Sequence, residues 1–371
     1  MIRACQMLGA QIEQLPDALH IHGVAGKPRT PADVIDAGNS GIVLRLVGAV
    51  AALSNGYAIL TGDESIRTRR VIQPLLDGLT GLGAFAVSAP GEGRAPILVR
   101  GPLRPGVTHL VGHDSQPVTA LLIAASLLPA SSEIYVTDPG EKPWIEMTLS
   151  WLKRMGATYE HRDYVWYKLT GGTRFKAFDY SVPGDFSSAA FPLVAAALSD
   201  SEVTVEGLDM ADVQGDKRIV TLLQEMGADV CVEGLRVTVR GGRRLRGMTI
   251  DVNDCIDALP ILAVVGCVAE GETRLVNGSV ARCKESDRIT AVSTQLGAMG
   301  AYISELADGL VLRPTLLRGA CVESYGDHRM AMSLAIAGLI ASGETQINNV
   351  DCVRKSYPGF VDDLRCLGAS L

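Results

Sequence analysis

The chain has 371 residues, of which 47% are hydrophobic and 20% are charged, and its formal net charge is −7. This composition excludes a disordered chain and is sufficient for a large buried core in about two ordinary domains. The negative charge argues against a general nucleic-acid binder, so any anion chemistry has to use local basic loops.

Neither a membrane span nor a secreted disulfide scaffold is predicted. The longest apolar run, 330–341, has 12 residues, fewer than the roughly 18 that a span needs. Residues 1–5 lack the apolar core of a signal peptide, so a cytoplasmic location without a membrane partner is expected. The eight cysteines form no CxxC pair, which favours reduced thiols over disulfides or metal ligands. We predict no metal and no cofactor.

One short signature recurs along the chain: an amphipathic run, then Leu or Met, then Gly-Ala. Successive copies lie 68 to 74 residues apart, a spacing that indicates an internal repeat. Because glycine readily adopts the left-handed conformation that ends a helix, each copy predicts a helix C-terminus. The six glycines are Gly9, Gly83, Gly156, Gly227, Gly300 and Gly368.

The elements around each signature follow a regular order. A second apolar helix lies upstream, as at 118–128, and a short β-rich run follows it, as at 133–137. After a loop come the Gly-Ala helix and two alternating strands, as at 230–232 and 235–239. The predicted unit is helix, strand, helix, strand, strand. Several such units must pack together, because one unit cannot bury both of its faces.

The first copy of this unit contains only the second helix and its strands. Its upstream part would need roughly 50 residues, judged from the spacing of the later copies. We therefore expect that an N-terminal segment of the repeat is missing. The predicted fold class is α/β (α+β) in two lobes. The N-terminal lobe, 1–182, holds the incomplete copy and two full copies, and the C-terminal lobe, 183–371, holds three.

One loop opens the apolar helix of each copy and is rich in Asn, Asp and Ser. These residues cap helix N-termini, and capping alone is sufficient to explain any single loop. Five N-termini on one face of a repeat also favour bound anions, through their N–H groups and dipoles. The five loops are 36–41, 113–116, 184–188, 253–257 and 325–329.

A second loop opens the Gly-Ala helix and carries basic residues in each copy. A solvated charged face is one interpretation. Cations at a helix start oppose the macrodipole, however, and a bound phosphate or carboxylate would compensate them. The two loop sets together predict a cleft for polyanionic small molecules. The basic loops are 67–70, 141–142, 216–218, 284–288 and 354–355.

In this order, the loops resemble the motifs of the EPSP synthase (5-enolpyruvylshikimate-3-phosphate synthase) family of enolpyruvyl transferases. The resemblance implies two lobes of three βαβαββ units, in agreement with the six signatures. The matching stretches are Gly38-Asn39-Ser40-Gly41 with Arg45, Leu60-Thr61-Gly62-Asp63, Asp114-Ser115-Gln116, Gly184-Asp185-Phe186-Ser187-Ser188, Lys284-Glu285-Ser286-Asp287-Arg288, Asp327-His328-Arg329-Met330-Ala331-Met332 and Lys355.

The resemblance implies an enzyme that transfers the enolpyruvyl group of phosphoenolpyruvate to the 5-hydroxyl of shikimate 3-phosphate. Phosphate is released through a tetrahedral intermediate. The implied catalytic residues are Asp257, Glu285 and Lys355. Asp257 would take the proton of the 5-hydroxyl, and Glu285 with Lys355 would move the proton at the methylene carbon of phosphoenolpyruvate.

The resemblance also implies the residues that bind the two small-molecule substrates. Ser115 and Lys284 would bind the phosphate of shikimate 3-phosphate, and arginines suit phosphoenolpyruvate because their planar fork pairs two oxygens. The implied substrate-binding residues are Asn39, Gly41, Arg69, Ser115, Gln116, Lys284, Arg288 and Arg329, with Lys355 also on phosphoenolpyruvate.

Three departures from the family pattern carry expectations. The N-terminal Gly-Ser-Lys-Ser segment, with its catalytic lysine, is absent. Asp114 and Glu141 stand where the family has serines on the shikimate phosphate, so a carboxylate there costs affinity unless it points away or pairs with a cation. Ile42 and Leu46 replace a threonine and a proline near the phosphoenolpyruvate pocket, and low sensitivity to the inhibitor glyphosate is expected.

Two alternatives remain open from the sequence. The sister transferase that acts on UDP-N-acetylglucosamine normally presents a loop cysteine, which no matching position here supplies. A non-catalytic binding protein would keep an anion cleft without turnover, and the missing lysine segment favours that possibility.

Overall fold

The structure, a computed structural model, describes every residue from Met1 to Leu371. The α-helices are α1 (Ile2–Met7), α2 (Gly48–Ala51), α3 (Glu64–Thr68), α4 (Gln73–Gly81), α5 (Ser115–Ser126), α6 (Lys142–Arg154), α7 (Phe186–Leu198), α8 (Arg218–Glu225), α9 (Leu259–Val268), α10 (Arg288–Ala298), α11 (His328–Ile340) and α12 (Phe360–Cys366). A π-helical segment, Val43–Val47, precedes α2, and the 3₁₀ segments are Gly215–Lys217, Asn253–Ala258, Ser279–Cys283 and Val350–Lys355.

The strands are short and evenly distributed along the chain. They are β1 (Gln11–Gln14), β2 (Leu19–His22), β3 (Ile35–Asp36), β4 (Tyr57–Thr61), β5 (Phe85–Ser88), β6 (Ile97–Arg100), β7 (Val107–Val111), β8 (Ser132–Thr137), β9 (Tyr159–Arg162), β10 (Trp166–Leu169), β11 (Glu202–Glu206), β12 (Asp229–Glu233), β13 (Arg236–Arg240), β14 (Thr249–Asp251), β15 (Thr273–Val276), β16 (Tyr302–Leu306), β17 (Gly309–Arg313), β18 (Cys321–Glu323) and β19 (Gln346–Asn348).

The chain divides into two compact units, Met1–Tyr180 and Ser181–Leu371, called unit 1 and unit 2 below. Unit 1 contains α1 to α6, and unit 2 contains α7 to α12. The predicted lobe bounds, 1–182 and 183–371, stay a prediction.

Three sheets of four strands have the same topology. Their strand orders are β3-β4-β6-β5, β7-β8-β10-β9 and β14-β15-β17-β16. In each sheet the first two strands are parallel and joined through a helix, and the last two form an antiparallel hairpin. The sheet β11-β13-β12 has this pattern without its first strand. The repeat predicted from the Gly-Ala spacing is therefore present in the structure.

The sequence pattern does not predict the strand that opens each unit. Strands β3, β14 and β18 have only two or three residues, too few for the two-residue periodicity of a strand to be recognised. Their parallel pairing with the next strand is decided by the crossover helix, which is a tertiary feature. Strand β7 pairs in the same way with β8.

Each of the six signature glycines adopts the left-handed conformation, with φ between 84° and 103°. In each case the amide of the following alanine donates a hydrogen bond to the carbonyl five residues before it, as Ala157 does to Leu152. This 6→1 bond ends a helix with a left-handed glycine. The prediction that all six signatures end a helix is confirmed.

The apolar helices form the centre of each unit. All residues of α9 except the last are buried, and most of α5, α7 and α11 is buried as well. Helices α5, α7 and α11 begin at an aspartate whose carboxylate accepts backbone N–H bonds of the first turn: Asp114, Asp185 and Asp327. The capping predicted for these three loops is confirmed.

No helix of the structure has the length and apolar character that a membrane crossing requires.

Candidate active site

In unit 1, the buried Arg45 organises the start of two helical segments. It belongs to the π-helical segment Val43–Val47, a wider turn than the α-helix. Its Nη2 lies 2.8 Å from Asp114 Oδ2 and donates to the carbonyl of Val71 at 2.8 Å. Its Nη1 donates to Gln116 Oε1 at 3.2 Å. Asp114 thus caps α5 through Gln116 and also neutralises Arg45.

Gly41 allows a second arginine to approach the first. A Cβ atom at this glycine would lie 2.6 Å from a terminal nitrogen of both Arg45 and Arg70, and 3.2 Å from Gln116 Oε1. Arg70 is 5% exposed, and its Nη2 donates to the carbonyl of Asn39 at 3.4 Å. Two guanidinium groups and an amide therefore meet at a glycine backbone, which is suited to an anion with several oxygens.

Arg69, the predicted arginine of this loop, does not join that group. Arg69 is exposed, whereas the next residue, Arg70, is buried beside Gly41. Helix α3 ends at Thr68, so no helical periodicity determines which of the two arginines points inwards. That Arg69 binds a substrate stays a prediction.

Asn39 lies in the loop that joins β3 to the π-helical segment. Its amide donates to Asp63 and, at 3.1 Å, to Ser65 Oγ. Asp63 also caps α3 by accepting the N–H of Ile66 at 3.0 Å. Burial opposes ionisation of Asp63, but the bonds from Asn39, Ser65 and Ile66 outweigh it and lower the pKa of Asp63. Asn39 is thus a structural link between two loops of unit 1.

Ser115 is buried at the first position of α5 and is bonded within the protein. Its N–H and its hydroxyl donate to the same oxygen of Glu141, at 2.9 Å and 2.8 Å. Glu141 is only 2% exposed. Of the two alternatives expected for this carboxylate, a side chain that points away is not what the structure shows, because Glu141 occupies the N-terminus of α5.

In unit 2, Arg288 lies at the centre of a carboxylate cluster and is 1% exposed. Its Nε lies 2.8 Å from Asp327 Oδ2, its Nη1 lies 2.7 Å from Asp257 Oδ1, and its Nη2 lies 3.1 Å from Glu285 Oε2. Ser286 donates to Asp327 at 3.0 Å. The positive charge of Arg288 is shared among three carboxylates, which fixes their positions.

Asp257 is the carboxylate of this cluster with the greatest access to solvent, with 27% of its side chain exposed. Burial raises its pKa, but Arg288, Arg329 and Lys284 outweigh burial and hold the pKa of Asp257 well below its usual range. Asp216 lies nearby and is 6% exposed. Burial and the charge of Asp257 raise the pKa of Asp216. Two neighbouring carboxylates therefore have pKa values moved in opposite directions.

Glu285 joins the cluster to Lys355. Its Oε1 lies 2.7 Å from Lys355 Nζ, and its other oxygen is the one that pairs with Arg288. The carboxylate is nearly buried, while Lys355 keeps 31% of its side chain exposed. A carboxylate between a fixed guanidinium and an accessible ammonium is well placed to exchange a proton with the ammonium.

Arg329 extends the cluster towards the start of α7. It donates to the carbonyl of Ser187 at 2.8 Å and to its hydroxyl at 2.7 Å, and lies 3.7 Å from Asp257. The neighbouring His328 is buried. Burial, followed by the charges of Arg329 and Arg288, lowers the pKa of His328 to about 4. His328 is therefore neutral at pH 7 and adds no charge to the cluster.

Most predicted site residues fall into these two groups. In unit 1, Gly41 and Gln116 lie together beside Arg45, with Asn39 and Ser115 in adjoining loops. In unit 2, Asp257, Glu285, Lys355, Lys284, Arg288 and Arg329 lie together. The sequence interpretation did not single out Arg70, Asp216 or Ser187 as site residues. Each lies within one of the loops listed from the sequence, and its contacts are visible only in the structure.

Arginines beside a glycine backbone suit the binding of oxyanions, and carboxylates beside a lysine suit proton transfer, so these clusters are typical of an enzyme for polyanionic small molecules. The profile of the EPSP synthase (3-phosphoshikimate 1-carboxyvinyltransferase) family matches residues 1–364. The chain belongs to this family, whose reaction is enolpyruvyl transfer in the shikimate pathway. The predictions of the family, the activity and the transferase class are confirmed.

Known relatives agree with this membership. The chain is 46% identical to a 3-phosphoshikimate 1-carboxyvinyltransferase of Acetivibrio thermocellus over 370 residues, covering 100% of this chain and 87% of the relative. Identity to the enzyme of the same name from Methanothrix thermoacetophila is 47%, with the same coverage. A solved EPSP synthase from Acinetobacter baumannii is similar, with a TM-score of 0.81, 27% identity, and coverage of 100% and 87%. The predicted fold class is confirmed.

Proposed function

We propose that this chain transfers the enolpyruvyl group of phosphoenolpyruvate to the 5-hydroxyl of shikimate 3-phosphate, with Asp257, Glu285 and Lys355 as its catalytic residues. The observation that carries this proposal is the position of Glu285, held by Arg288 at 3.1 Å and by Lys355 at 2.7 Å. The cytoplasmic location predicted from the sequence belongs to the same proposal.

The addition step needs one proton removed and one delivered. As the 5-hydroxyl oxygen bonds to C2 of phosphoenolpyruvate, its proton passes to Asp257. C3 receives a proton from the Glu285–Lys355 pair, which gives the tetrahedral intermediate. The low pKa of Asp257 makes it a weak base towards a free alcohol. It is sufficient here because the hydroxyl becomes strongly acidic as the new C–O bond forms.

The elimination step removes a proton from C3, the reverse of the proton delivery in the addition step. The Glu285–Lys355 pair takes a proton from C3, the C2–C3 double bond forms again, and the C–O bond to phosphate breaks. The proton that Asp257 took from the 5-hydroxyl leaves with the released phosphate, which restores the carboxylate. One pair thus acts first as acid and then as base, which requires groups that exchange a proton over a short distance. The separation of 2.7 Å between Lys355 Nζ and Glu285 Oε1 meets this requirement.

Binding of the anionic groups is assigned to the arginines. Arg70 takes the role predicted for Arg69, because it is the buried guanidinium beside Gly41 and close to Gln116. In unit 2, Arg288 and Arg329 supply positive charges for the anionic groups of the substrates. The positive charge of Lys284 lowers the pKa of Asp257. Each arginine is anchored by protein oxygens, so its fork is oriented before a substrate arrives.

A phosphate-release assay tests the proposal. The chain is incubated with phosphoenolpyruvate and shikimate 3-phosphate together and, as controls, with each alone. We expect release only with both substrates. Binding of both without release would indicate the non-catalytic alternative and contradict the proposal. An inhibition curve for glyphosate in the same assay tests the expected low sensitivity, which an ordinary family response would contradict.

A further inference from the structure

Asp216 is a buried carboxyl group in unit 2 that the proposed mechanism does not use. It lies in the 3₁₀ segment Gly215–Lys217 and is 6% exposed. Its Oδ1 is buried and accepts no hydrogen bond from the protein, and the group forms no ion pair with an arginine or lysine. A buried carboxyl group without a paired cation is much more stable when it is neutral than when it is ionised.

The loop around Asp216 holds this carboxyl group in its buried position. Two residues earlier, Gln214 Nε2 donates to the carbonyl of Gly184 at 3.0 Å, and its Oε1 accepts the N–H of Phe186 at 2.9 Å. On the other side, Lys217 Nζ donates to a carbonyl of the same loop at 3.1 Å. The loop is thus bonded to the start of α7, and Asp216 cannot turn to solvent without breaking these bonds.

Four charged groups act on Asp216 from the elements around it. Asp257 and Asp185 are negative, whereas Arg329 and Lys284 are positive. Burial, followed by the charge of Asp257, raises the pKa of Asp216 to about 8, and the two cations do not outweigh them. The group therefore carries its proton at pH 7, in agreement with its buried and unpaired position.

The other ionisable groups on the adjoining elements do not pair with Asp216. Cys255 is buried, and burial raises the pKa of its thiol, so it stays neutral. Arg218, at the start of α8, lies 2.6 Å from Glu225. Asp254 is exposed to solvent. Ionisation of Asp216 would therefore be felt mainly by the charged groups of the carboxylate cluster.

Arg329 is the cation for which an ionised Asp216 would compete. It lies 3.7 Å from Asp257 and donates to the carbonyl and the hydroxyl of Ser187. Its Nε is buried and donates to no protein acceptor. The proposed function assigns Arg329 to an anionic group of a substrate. A second carboxylate near this arginine would take up part of the positive charge that the substrate needs.

We propose that Asp216 is a positioning residue that acts in its protonated form. As a neutral acid it leaves Arg329 to Asp257 and to a substrate anion, whereas as a carboxylate it would compete for the same positive charge. Asp216 keeps its proton during both steps, so the proton balance of the reaction is unchanged. The inference rests on the proposed function, which assigns the roles of Asp257 and Arg329.

The test is the pH dependence of kcat/KM for phosphoenolpyruvate, which reports the ionisations of the free enzyme. For the unmodified chain we expect a fall of about 10-fold from pH 7.5 to pH 9.5, because the ionised group opposes an anionic substrate. Its midpoint should lie near pH 8. Asp216→Asn has no proton to lose and should not show this fall. Asp200→Asn removes an exposed carboxylate of the same unit and should behave like the unmodified chain.

Asp216→Ser guards against an effect of the amide group, because serine is also uncharged. Its profile should lack the fall as well, whatever its kcat/KM at pH 7. A loss of the same size at every pH in both variants would indicate a merely structural role and overturn the proposal. An unmodified chain without the fall would also overturn it, and turnover in that case would leave the proposed function intact.

Infrared difference spectra of the substrate-free chain between pH 7 and pH 9.5 report on Asp216 without turnover. We expect a carboxylic C=O band that is lost at the higher pH and is absent from Asp216→Asn. If phosphate is not released at all, the dissociation constant of phosphoenolpyruvate at the two pH values replaces kcat/KM. A rise confined to the unmodified chain supports the inference although the proposed function fails. An absent band, or an equal rise in both proteins, overturns it.

Discussion

Asp114 in unit 1 and Asp327 in unit 2 are equivalent parts of the repeat in different surroundings. Each caps the central apolar helix of its copy, and each pairs with an arginine at 2.8 Å. Asp114 keeps 26% of its side chain exposed, whereas Asp327 is fully buried. The same capping aspartate is therefore partly exposed in unit 1, whereas in unit 2 it is a buried member of the carboxylate cluster around Arg288.

The two clusters differ in the same way. Around Gly41, two guanidinium groups approach each other, and the arrangement suits the binding of an oxyanion. Around Arg288, three carboxylates surround one guanidinium and a lysine pairs with one of them, which suits proton transfer. One repeat has thus produced a binding cluster and a proton-handling cluster from the same helix starts.

The largest expected effect concerns the proton-handling cluster. Glu285→Gln removes the carboxylate that contacts Lys355 while keeping its shape. We expect kcat to fall by roughly 10²- to 10⁴-fold, the usual contribution of a general acid or base, with little change in substrate affinity. Steady-state kinetics and titration of both substrates measure this. Glu272→Gln, a partly exposed carboxylate bonded to Arg313, is the matched control. A proportional loss of affinity would contradict the role in proton transfer.

The second prediction tests the comparison of the two caps. Asp327→Asn leaves the buried Arg288 with less compensation, and breaking a buried pair costs about 3–5 kcal/mol. Asp114→Asn changes a partly exposed cap and should cost roughly 0.5–2 kcal/mol. Chemical denaturation of both variants gives the two free energies of unfolding. Equal losses would show that burial does not separate the two caps.

The binding cluster is tested by its adjacent arginines. Arg70→Gln should weaken phosphoenolpyruvate binding by roughly 10- to 100-fold, because it removes charged hydrogen bonds of about 1.5–3 kcal/mol. Arg69→Gln, one residue earlier and exposed, should have little effect. The KM for phosphoenolpyruvate in each variant is the measurement. The reverse order would return the role to Arg69.

The smallest expected effect concerns the neutral His328. Its pKa in the folded protein, about 4, lies below the ordinary value of 6.5. The unfolded chain therefore takes up a proton that the folded chain does not, and stability falls as the pH drops below 6.5. Between pH 7 and pH 5.5 the loss should be about 1 kcal/mol.

Urea denaturation at both pH values, for the unmodified chain and His328→Gln, measures the contribution of His328. The raised pKa of Asp216 acts in the opposite sense in both proteins, so only their difference is interpreted. The exposed His20→Gln is the control. An unchanged pH dependence in His328→Gln would mean that His328 is not the group responsible.

The sequence by itself determined the repeat, the helix ends and the family. A left-handed glycine and an aspartate cap act over a few neighbouring residues, so their signals are local and can be recognised in order along the chain. Asp257, Glu285, Lys355, Arg288 and Arg329 were implied as a set by the resemblance of their loops to the EPSP synthase family.

Only the tertiary structure decided which of these side chains meet and in what environment. It buries Arg70 beside Gly41 while Arg69 stays exposed, places Asp216 near Asp257, and brings Glu141 into contact with Ser115. Burial, distance and the sign of a neighbouring charge depend on residues far apart in the chain: 26 positions separate Ser115 from Glu141, and 70 separate Glu285 from Lys355. No local pattern encodes such contacts, and the pKa values of the site follow from them.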